Sequence, residues 1–435
     1  MSTAALDVFL HGMPVGQLDR PTPERPRALV FRYGEDYLAN GQAVALSHSL
    51  PLQPEPFADA RARNWFAGLL PEAAARESIA RNLRLDVLDD YALLAAIGGE
   101  CAGAVELWLP GARPIPRELV PAPPIAPGQI EDWIRARPRA PLLAQAGVLR
   151  LSLAGAHDKM ALVVEPDGTM RLPAGASPST HLLKISSDEF PNLVIREALG
   201  LALARRAGLT VVDARLWFAP SPCLLVRRYD RVRRSDGLVE RVHQEDLCQA
   251  MGLAPEAKYQ DHGGPDAATC LRFLRDELRI GARGLDAFVH WLAFNVAIGN
   301  ADAHAKNLSV LRALDGHVAL APLYDLVPTG LYPGLGRALA MNIGAATDID
   351  LVAGADWEQF AERAGLQPRY ARKRARETAA ATLAVLEAAV AELQAAGAPA
   401  DLLQADRDAL APRLAAMAAE ARLPEPPHAW RQRAP

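Results

Sequence analysis

The feature that most constrains the fold is the stretch 299–307, GNADAHAKN, which directly follows an apolar helix-like segment at 288–298. Within it, Asp302 and Asn307 stand in the order D-x-x-x-x-N, and Asp325 follows 18 residues after Asn307, across a strand-like run. Protein kinases use such a set: an Asp that orients or deprotonates the hydroxyl nucleophile, and an Asn and a second Asp that bind Mg²⁺. The pattern predicts phosphoryl transfer, and a fold that brings these three side chains to one nucleotide.

Length and composition narrow the class of protein. A chain of 435 residues is expected to form about two or three domains. No apolar run approaches the roughly 20 residues of a membrane helix, and residues 1–10 carry no signal-peptide pattern. We therefore expect a cytoplasmic protein with no membrane partner.

Charge and cysteine usage argue against two further classes: general nucleic-acid-binding proteins, and proteins held together by zinc or disulfides. The net charge of −4 gives no general case for nucleic-acid binding, although a local basic patch stays possible. The four cysteines form no C-x-x-C pair, which favours buried thiols over a zinc site or disulfides. They are Cys101, Cys223, Cys248 and Cys270.

The first part of the chain has the pattern of a β-rich domain that also contains helices. Strands are predicted at 6–10, 14–18 and 28–33, with a turn at Gly12 between the first two. Apolar residues three and four apart predict helices between 57 and 94. The proline-rich stretch 110–127 reads as a linker.

The remainder has the order of a kinase: a β-rich small lobe, then a mostly helical large lobe from Glu245 onward. Strands are predicted within 148–164 and at 180–185, 211–218 and 224–229, and helices at 192–207, 288–298 and 372–396. The predicted fold class is α+β, a bilobal protein-kinase-like fold with an extra N-terminal β-rich domain. The predicted division is 1–112 for that domain, 113–145 for the linker and connecting helix, 146–230 for the small lobe and 231–435 for the large lobe.

Other parts of a phosphoryl-transfer site occur in the expected order. Lys184 ends a predicted strand and suits phosphate binding, and Glu197 on the next helix suits the support of that lysine. A small-residue loop that lets backbone amides approach phosphates is predicted at Ala154, Gly155, Ala156, His157, Asp158 and Lys159. Each part alone has an ordinary explanation, such as a solvated lysine or a helix cap, but their joint order favours a kinase.

Five separated motifs resemble the signatures of HipA-type serine/threonine kinase toxins. They are 152–159 (SLAGAHDK), 243–249 (HQEDLCQ), 258–265 (KYQDHGGP), 299–307 (GNADAHAKN) and 323–326 (LYDL). The resemblance runs from the N-terminal β-rich domain to about residue 420. Two positions depart from the usual pattern: His157-Asp158 replaces Gln-Glu, and Arg227 stands where Glu is often found.

The resemblance implies a role for each site residue. Asp302 would be the catalytic acid/base, and Asn307 and Asp325 would bind Mg²⁺. ATP would be held by Lys184 with the support of Glu197, by the loop 154–159, by Arg227, Arg228 and Tyr229 at the link between lobes, and by His304 and Tyr324. Ser152 would be the autophosphorylation site that switches the kinase off, since a phosphate there carries about −1.5 to −2 charge beside the nucleotide.

The resemblance also implies partners. A HipA-like toxin pairs with a HipB-like helix-turn-helix antitoxin, contacts operator DNA mainly through it, and phosphorylates a protein substrate such as an aminoacyl-tRNA synthetase. A basic cluster could add a direct DNA contact, although a solvated helix face is the favoured interpretation. It comprises Arg369, Arg372, Lys373, Arg374 and Arg376.

Two other functions remain open at this point. One is a catalytically weak or domesticated kinase fold that acts as a corepressor with its antitoxin. The other is a small-molecule or lipid kinase, which would need the same phosphate-binding parts. Only the substrate-facing surface distinguishes the latter from a protein kinase, and the sequence does not reveal that surface.

Overall fold

The computed structural model describes residues 5–20, 22, 28–57, 59–114, 122–126, 128–136, 159–173, 177–218 and 221–421. The predicted autophosphorylation site Ser152 and the predicted loop residues Ala154, Gly155, Ala156, His157 and Asp158 lie outside these ranges. Most of the predicted linker and connecting helix lies outside them as well. The proposed division into four parts stays a prediction.

The N-terminal domain is built on a four-stranded antiparallel sheet in the order β3-β2-β1-β4. Its strands are β1 Leu6–Leu10, β2 Met13–Asp19, β3 Val30–Tyr33 and β4 Val105–Trp108. The predicted hairpin is confirmed, since Leu10 pairs with Met13 and Gly12 makes the turn with φ +77°. Helices α1 Glu35–Leu38, α2 Asp59–Ala67, α3 Ala73–Leu83 and α4 Asp90–Ile97 complete the domain. Aromatic side chains from the sheet and from α2 fill the core.

A second antiparallel sheet has five strands in the order β6-β5-β7-β9-β8. They are β5 Lys159–Val164, β6 Met170–Arg171, β7 His181–Ile185, β8 Ala214–Phe218 and β9 Pro222–Arg227. Helix α5, Gln129–Ala136, packs its apolar residues into this sheet's core, and helix α6, Leu193–Arg206, follows β7. The prediction of a helix at 192–207 that ends before Gly208 is confirmed.

Helices dominate the C-terminal part. They are α7 Leu247–Ala250, α8 Ala267–Asp276, α9 Ala282–Ile298, α10 Gly354–Ala364, α11 Pro368–Ala395 and α12 Ala400–Ala418. Small antiparallel sheets interrupt them, formed by β10 Arg231–Arg233, β11 Val239–Arg241, β12 His243–Asp246, β13 Ser309–Arg312, β14 Val318–Leu320, β15 Ala338–Ile343 and β16 Ala346–Asp348. Between Asn307 and Asp325 the sequence indicated a strand-like run without bounds, and the other strands were not predicted, because most of these runs have three or four residues and carry little periodicity. The whole is an α+β fold, as predicted.

Helix α11 is the one helix of the described residues that is long and apolar enough to span a membrane by length and composition. A core helix of a soluble protein passes the same test, and α11 has a buried stripe formed by Leu386, Ala389, Val390 and Leu393. The spacing of Leu383, Leu386, Val390 and Leu393 predicts such a stripe, and the stripe packs into an apolar core of the described residues, with Leu383 partly buried against it. The helix therefore has a packing role within the fold.

The basic cluster at the start of α11 is largely engaged with acidic side chains. Arg372 lies 2.9 Å from Glu358 and also pairs with Glu420, while Arg374 pairs with Asp286. Lys373 is 3.6 Å from Glu377 one turn along the helix. These ion pairs support the favoured interpretation of a solvated helix face.

Buried charges join the N-terminal domain to the segment that follows β9. Glu100 lies 2.9 Å from Arg228, 3.0 Å from Arg231 and 2.7 Å from Arg241. Asp230 pairs with Arg228 at 2.7 Å and accepts a hydrogen bond from the Gly103 amide at 2.7 Å. Because an unpaired buried charge is costly, this network fixes the two parts in one arrangement.

Candidate active site

A cavity of about 670 Å³ lies between the five-stranded sheet and the helical part. The predicted site residues that line it are Lys159, Lys184, Arg227, Arg228, Tyr229, Asp302, His304, Asn307, Tyr324 and Asp325. Residues from sequence segments more than 160 positions apart therefore meet at one cleft. The volume suits a nucleotide-sized ligand.

The side chain of Lys184 on β7 connects the five-stranded sheet to helix α6 and to the segment after β14. Its Nζ donates to Glu197 Oε1 at 2.7 Å and also to a carboxylate oxygen of Asp325. Burial alone would lower the pKa of Lys184, but the two carboxylates raise it, so the lysine is charged. Glu197 is buried, and this burial raises its pKa. The predicted lysine–glutamate contact is present.

A second lysine stands beside the first. Lys159 pairs with Lys184 across β5 and β7, and both side chains line the cavity. Burial and the charge of Lys184 lower the pKa of Lys159 to about 8, against the opposing effect of Asp325. Two neighbouring ammonium groups in a cleft form a site for a polyanion such as a triphosphate.

Asp302 lies in the loop between α9 and β13 with its side chain half-exposed to the cleft. Tyr259 Oη donates to Asp302 Oδ1 at 2.8 Å, and Asn307 Nδ2 donates to the Asp302 carbonyl at 2.9 Å. Asn300 Oδ1 accepts from the Asp302 amide at 3.2 Å, and its Nδ2 donates to Asn295 Oδ1 at 2.7 Å. The loop thus presents a carboxylate whose backbone is held on both sides.

Asp325 has a left-handed backbone with φ +52°, uncommon for a residue with a side chain. Such strain is often found at functional sites, where the surrounding structure enforces it. The preceding residue, Tyr324, connects this segment to the start of β13. Its hydroxyl forms hydrogen bonds with Ser309 Oγ at 2.6 Å and with the Lys306 carbonyl at 2.9 Å. The ring of Tyr324 stacks on that of Tyr229 with centroids 6.1 Å apart.

The residues present fit a magnesium-bound nucleotide. Asn307 uses its amide nitrogen internally, so its amide oxygen is the group suited to a metal, and Asp325 supplies a carboxylate in the same cavity. Within the described part of the chain, no group of three His, Cys, Asp or Glu could hold a metal without help. Mg²⁺ typically takes one or two protein ligands plus phosphate oxygens and waters, which matches this donor set.

At the predicted link between lobes, residues 227–229, two backbone amides already form hydrogen bonds within the protein. The amide of Arg227 donates to the Asp213 carbonyl at 2.7 Å, and that of Arg228 donates to the Thr180 carbonyl at 2.9 Å. Those two amides are committed to the protein, and the Arg228 side chain belongs to the buried network with Glu100. Adenine recognition through the carbonyls here and through Tyr229 stays a prediction.

His304 is buried in the loop between α9 and β13, next to Asp302. Its Nε2 lies 4.0 Å from Asp302 Oδ2, and its ring meets that of Tyr259 edge-on at 5.3 Å. Burial lowers the pKa of His304, so the ring is neutral near pH 7. Sequence analysis named His304, but it assigned no role to Tyr259, Asn300 or Lys306. The available signal was that Tyr259 lies within the motif 258–265, and Asn300 and Lys306 within the motif 299–307.

Comparison with known proteins places this site in a family. Residues 6–108 match the family described as HipA N-terminal domain, and residues 151–386 match the HipA-like C-terminal domain. "Putative kinase Y4mE" of Sinorhizobium fredii is 39% identical over 387 residues, which cover 86% of this chain and 89% of that protein. The "Serine/threonine-protein kinase toxin HipA" of Shewanella oneidensis is 28% identical over 385 residues, covering 84% and 85%.

A solved structure shares the fold. Shewanella oneidensis HipA, determined in complex with HipB and operator DNA, superposes with a TM-score of 0.78 at 24% identity, over 94% of this chain and 96% of that one. The described residues form an α+β fold whose cleft groups two lysines with the carboxylates and amide used by kinase-like proteins. The chain belongs to the HipA family, whose N- and C-terminal domains it carries in order.

Proposed function

We propose that this chain is an ATP- and Mg²⁺-dependent serine/threonine-protein kinase. The observation that carries the proposal is the meeting of Lys184, Glu197 and Asp325 in one hydrogen-bonded group at the cleft that also holds Asp302 and Asn307. Phosphoryl transfer needs mainly positioning and neutralisation of phosphate charge, and these groups supply both. The relatives named as kinases support the same assignment.

In this mechanism each residue has one task. Lys184 and Lys159 would hold phosphate oxygens, while Asn307 and Asp325 would hold the metal, which would supply charge neutralisation at the phosphates. Asp302 accepts the proton of the substrate hydroxyl or orients that hydroxyl for attack. Tyr259 keeps the Asp302 carboxylate directed through its hydrogen bond.

We further propose that the kinase is the cytoplasmic toxin of a toxin–antitoxin pair with a HipB-like helix-turn-helix antitoxin. Operator DNA would be contacted mainly through the antitoxin, and the determination of Shewanella HipA together with HipB and operator DNA supports an assembly of these three components. The substrate would be a translation component such as an aminoacyl-tRNA synthetase. Ser152, outside the described residues, would be the site of inactivating autophosphorylation.

The test compares phosphopeptides in cells that express the wild type, Asp302→Gln or Asp325→Gln, with Asp36→Asn, an exposed acid of α1, as the control. We expect both site variants to lose transfer by on the order of 100-fold or more. Asp302→Gln should keep the wild-type melting temperature, whereas Asp325→Gln also removes a partner of buried Lys184 and should melt lower. New phosphopeptides in the wild type would name the substrate and report on Ser152. Full activity in both site variants would overturn the mechanism.

The same experiment separates the alternatives. Operator repression without any phosphotransfer by the wild type would favour the corepressor. ATP consumption without labelled protein would favour a small-molecule kinase.

A further inference from the structure

Glu72 belongs to the N-terminal domain but lines the kinase cleft. It occupies the N-cap position of α3, yet its side chain makes no capping hydrogen bond to that helix. The next residue, Ala73, has a left-handed backbone with φ +45°, which is strained for a residue with a Cβ. Glutamate is not among the side chains that favour the N-cap position, so its carboxylate is available for other contacts, and the strained residue beside it indicates that the surrounding structure fixes this backbone.

The side chain of Glu72 is directed at two lysines of the C-terminal part. Lys258 Nζ donates to Glu72 Oε2 at 2.8 Å, and Lys306 Nζ lies 3.5 Å from Glu72 Oε1. Burial would raise the pKa of Glu72, but Lys306 and Lys258 outweigh it and the pKa is lowered, so the carboxylate is ionised. Lys306 also lies 3.0 Å from Asp246 Oδ2.

Both lysines adjoin the residues that hold the catalytic loop. Lys258 lies over the ring of Tyr259, 5.1 Å from its centroid, and the hydroxyl of that ring donates to Asp302. Lys306 immediately precedes Asn307 in the 3₁₀ turn Ala305–Asn307. Three successive contacts, through Lys258 and Tyr259, therefore connect the Glu72 carboxylate to Asp302. A second contact connects it to Lys306, the residue before Asn307.

We propose that Glu72 is a positioning residue for phosphoryl transfer, through which the N-terminal domain fixes the catalytic loop. The proposal rests on the kinase function proposed above. Without the carboxylate, two ammonium groups face each other across the space it filled. Asp246 can compensate Lys306, but Lys258 loses its hydrogen-bonded anion, so Tyr259 and Asp302 lose their fixed placement.

The kinetic test uses the full chain, with ATP as donor and the chain itself and myelin basic protein as acceptors. The variant Glu72→Gln keeps the shape and removes the charge, and Glu77→Gln, an exposed acid on the same helix, is the matched control. We expect the maximal rate of Glu72→Gln to fall about 10- to 100-fold, with KM for ATP within about threefold, because loop placement affects the transition state. Glu72→Asp should keep part of the rate.

A double-variant cycle tests the route of the effect. If Glu72 acts through Lys258, then Glu72→Gln combined with Lys258→Met is no slower than the worse single variant. Fully multiplicative losses would overturn this route. Equal rates for Glu72→Gln, Glu77→Gln and the wild type would overturn the proposal as a whole, as would a loss explained entirely by a lower melting temperature.

Hydrogen exchange provides a measurement that needs no catalysis. In Glu72→Gln, peptides covering 256–264 and 300–308 should exchange faster than in Glu77→Gln, while β1 to β4 stay protected. A wild type without any transfer would overturn the kinase function, and the exchange comparison would then still test the link by itself. Unchanged exchange in those two peptides would overturn the link.

Discussion

Lys184 donates hydrogen bonds to Glu197, 13 residues away, and to Asp325, 141 residues away. One buried ammonium thus compensates two carboxylates that come from different lobes. Its side chain is 11% exposed and that of Glu197 is 2% exposed, so water contributes little to their solvation. This arrangement makes the lysine a structural element in addition to the phosphate-binding role that we propose for it.

Replacing that lysine should therefore destabilise the fold as well as the activity. We expect Lys184→Met to lower the free energy of unfolding by about 3–5 kcal/mol at pH 7.5, because two carboxylates are left without their cation. The deficit relative to the wild type should shrink at pH 5.5, since the raised pKa of Glu197 lets it take up a proton. Urea denaturation at both pH values measures this.

A companion variant separates the two roles of the lysine. Lys184→Met with Glu197→Leu should recover much of the stability without recovering ATP binding. Lys373→Met on the exposed face of α11 is the control. Wild-type stability of Lys184→Met at pH 7.5 would contradict the prediction.

ATP affinity should fall as pH rises through about 8. The pKa of Lys159 is lowered to about 8, so the free protein loses this charge there, whereas bound phosphate would favour the protonated form. We expect up to about tenfold weaker binding between pH 7 and 9, and proton uptake on binding near pH 8. Calorimetry in buffers of different ionisation enthalpy measures both.

The variant Lys159→Met should bind more weakly and lose most of this pH dependence. Lys373→Met should keep the wild-type slope. An equal slope in Lys159→Met and in the wild type would assign the titration to another group.

The free energy of unfolding should fall in mild acid because of His243, which contacts the N-terminal domain at Leu46. Its Nε2 bonds the Leu46 carbonyl at 2.7 Å, and burial lowers its pKa to about 4, so the folded protein holds it neutral. In the unfolded chain this histidine binds a proton below about pH 6.5. The stability that its neutral, buried form contributes is therefore fully present above about pH 6.5 and declines as the pH falls towards 4. Between pH 6.5 and 5 the decline is about 2 kcal/mol.

Urea midpoints across that pH range check the prediction. His243→Gln should show a flatter pH dependence, although it starts from lower stability. His317→Gln, on an exposed turn, is the control and should follow the wild type. A wild-type slope in His243→Gln would show that other groups cause the acid sensitivity.

Removal of the Glu100 charge should uncouple the N-terminal domain from the rest. Burial would raise the pKa of Glu100, but Arg241, Arg231 and Arg228 lower it to about 2, so it is an anion at all working pH values. We expect Glu100→Gln to lower the free energy of unfolding by about 3–5 kcal/mol, because three buried arginines then lose a carboxylate that they share. Scanning calorimetry should show one transition becoming two.

The exposed acid Glu240 provides the comparison. It pairs with Arg234 on the surface, and Glu240→Gln should leave the unfolding profile unchanged, because solvent screens such pairs. A single unshifted transition in Glu100→Gln would mean that apolar packing alone holds the domains together.

The sequence by itself determined the parts of the molecule that depend on local pattern. Period-two and period-3.6 spacing gave the hairpin at Gly12, the helix Leu193–Arg206 and the buried stripe of α11, because one face of each element must be apolar. The order of chemical groups along the chain was enough to nominate Lys184, Asp302, Asn307 and Asp325. Short strands such as β16 escaped prediction, since three residues hold too little periodicity.

Only the tertiary structure decided which side chains meet. Glu72 and Lys306 are 234 positions apart, and no local rule connects an acid before a helix in one domain with a loop lysine in another. Likewise, the sequence did not predict that the Arg228 guanidinium pairs with buried Glu100 and Asp230, while the expected contact of its backbone with adenine stays a prediction. Such pairings are fixed by the high cost of an uncompensated charge in a buried interface, which acts only after the chain has folded.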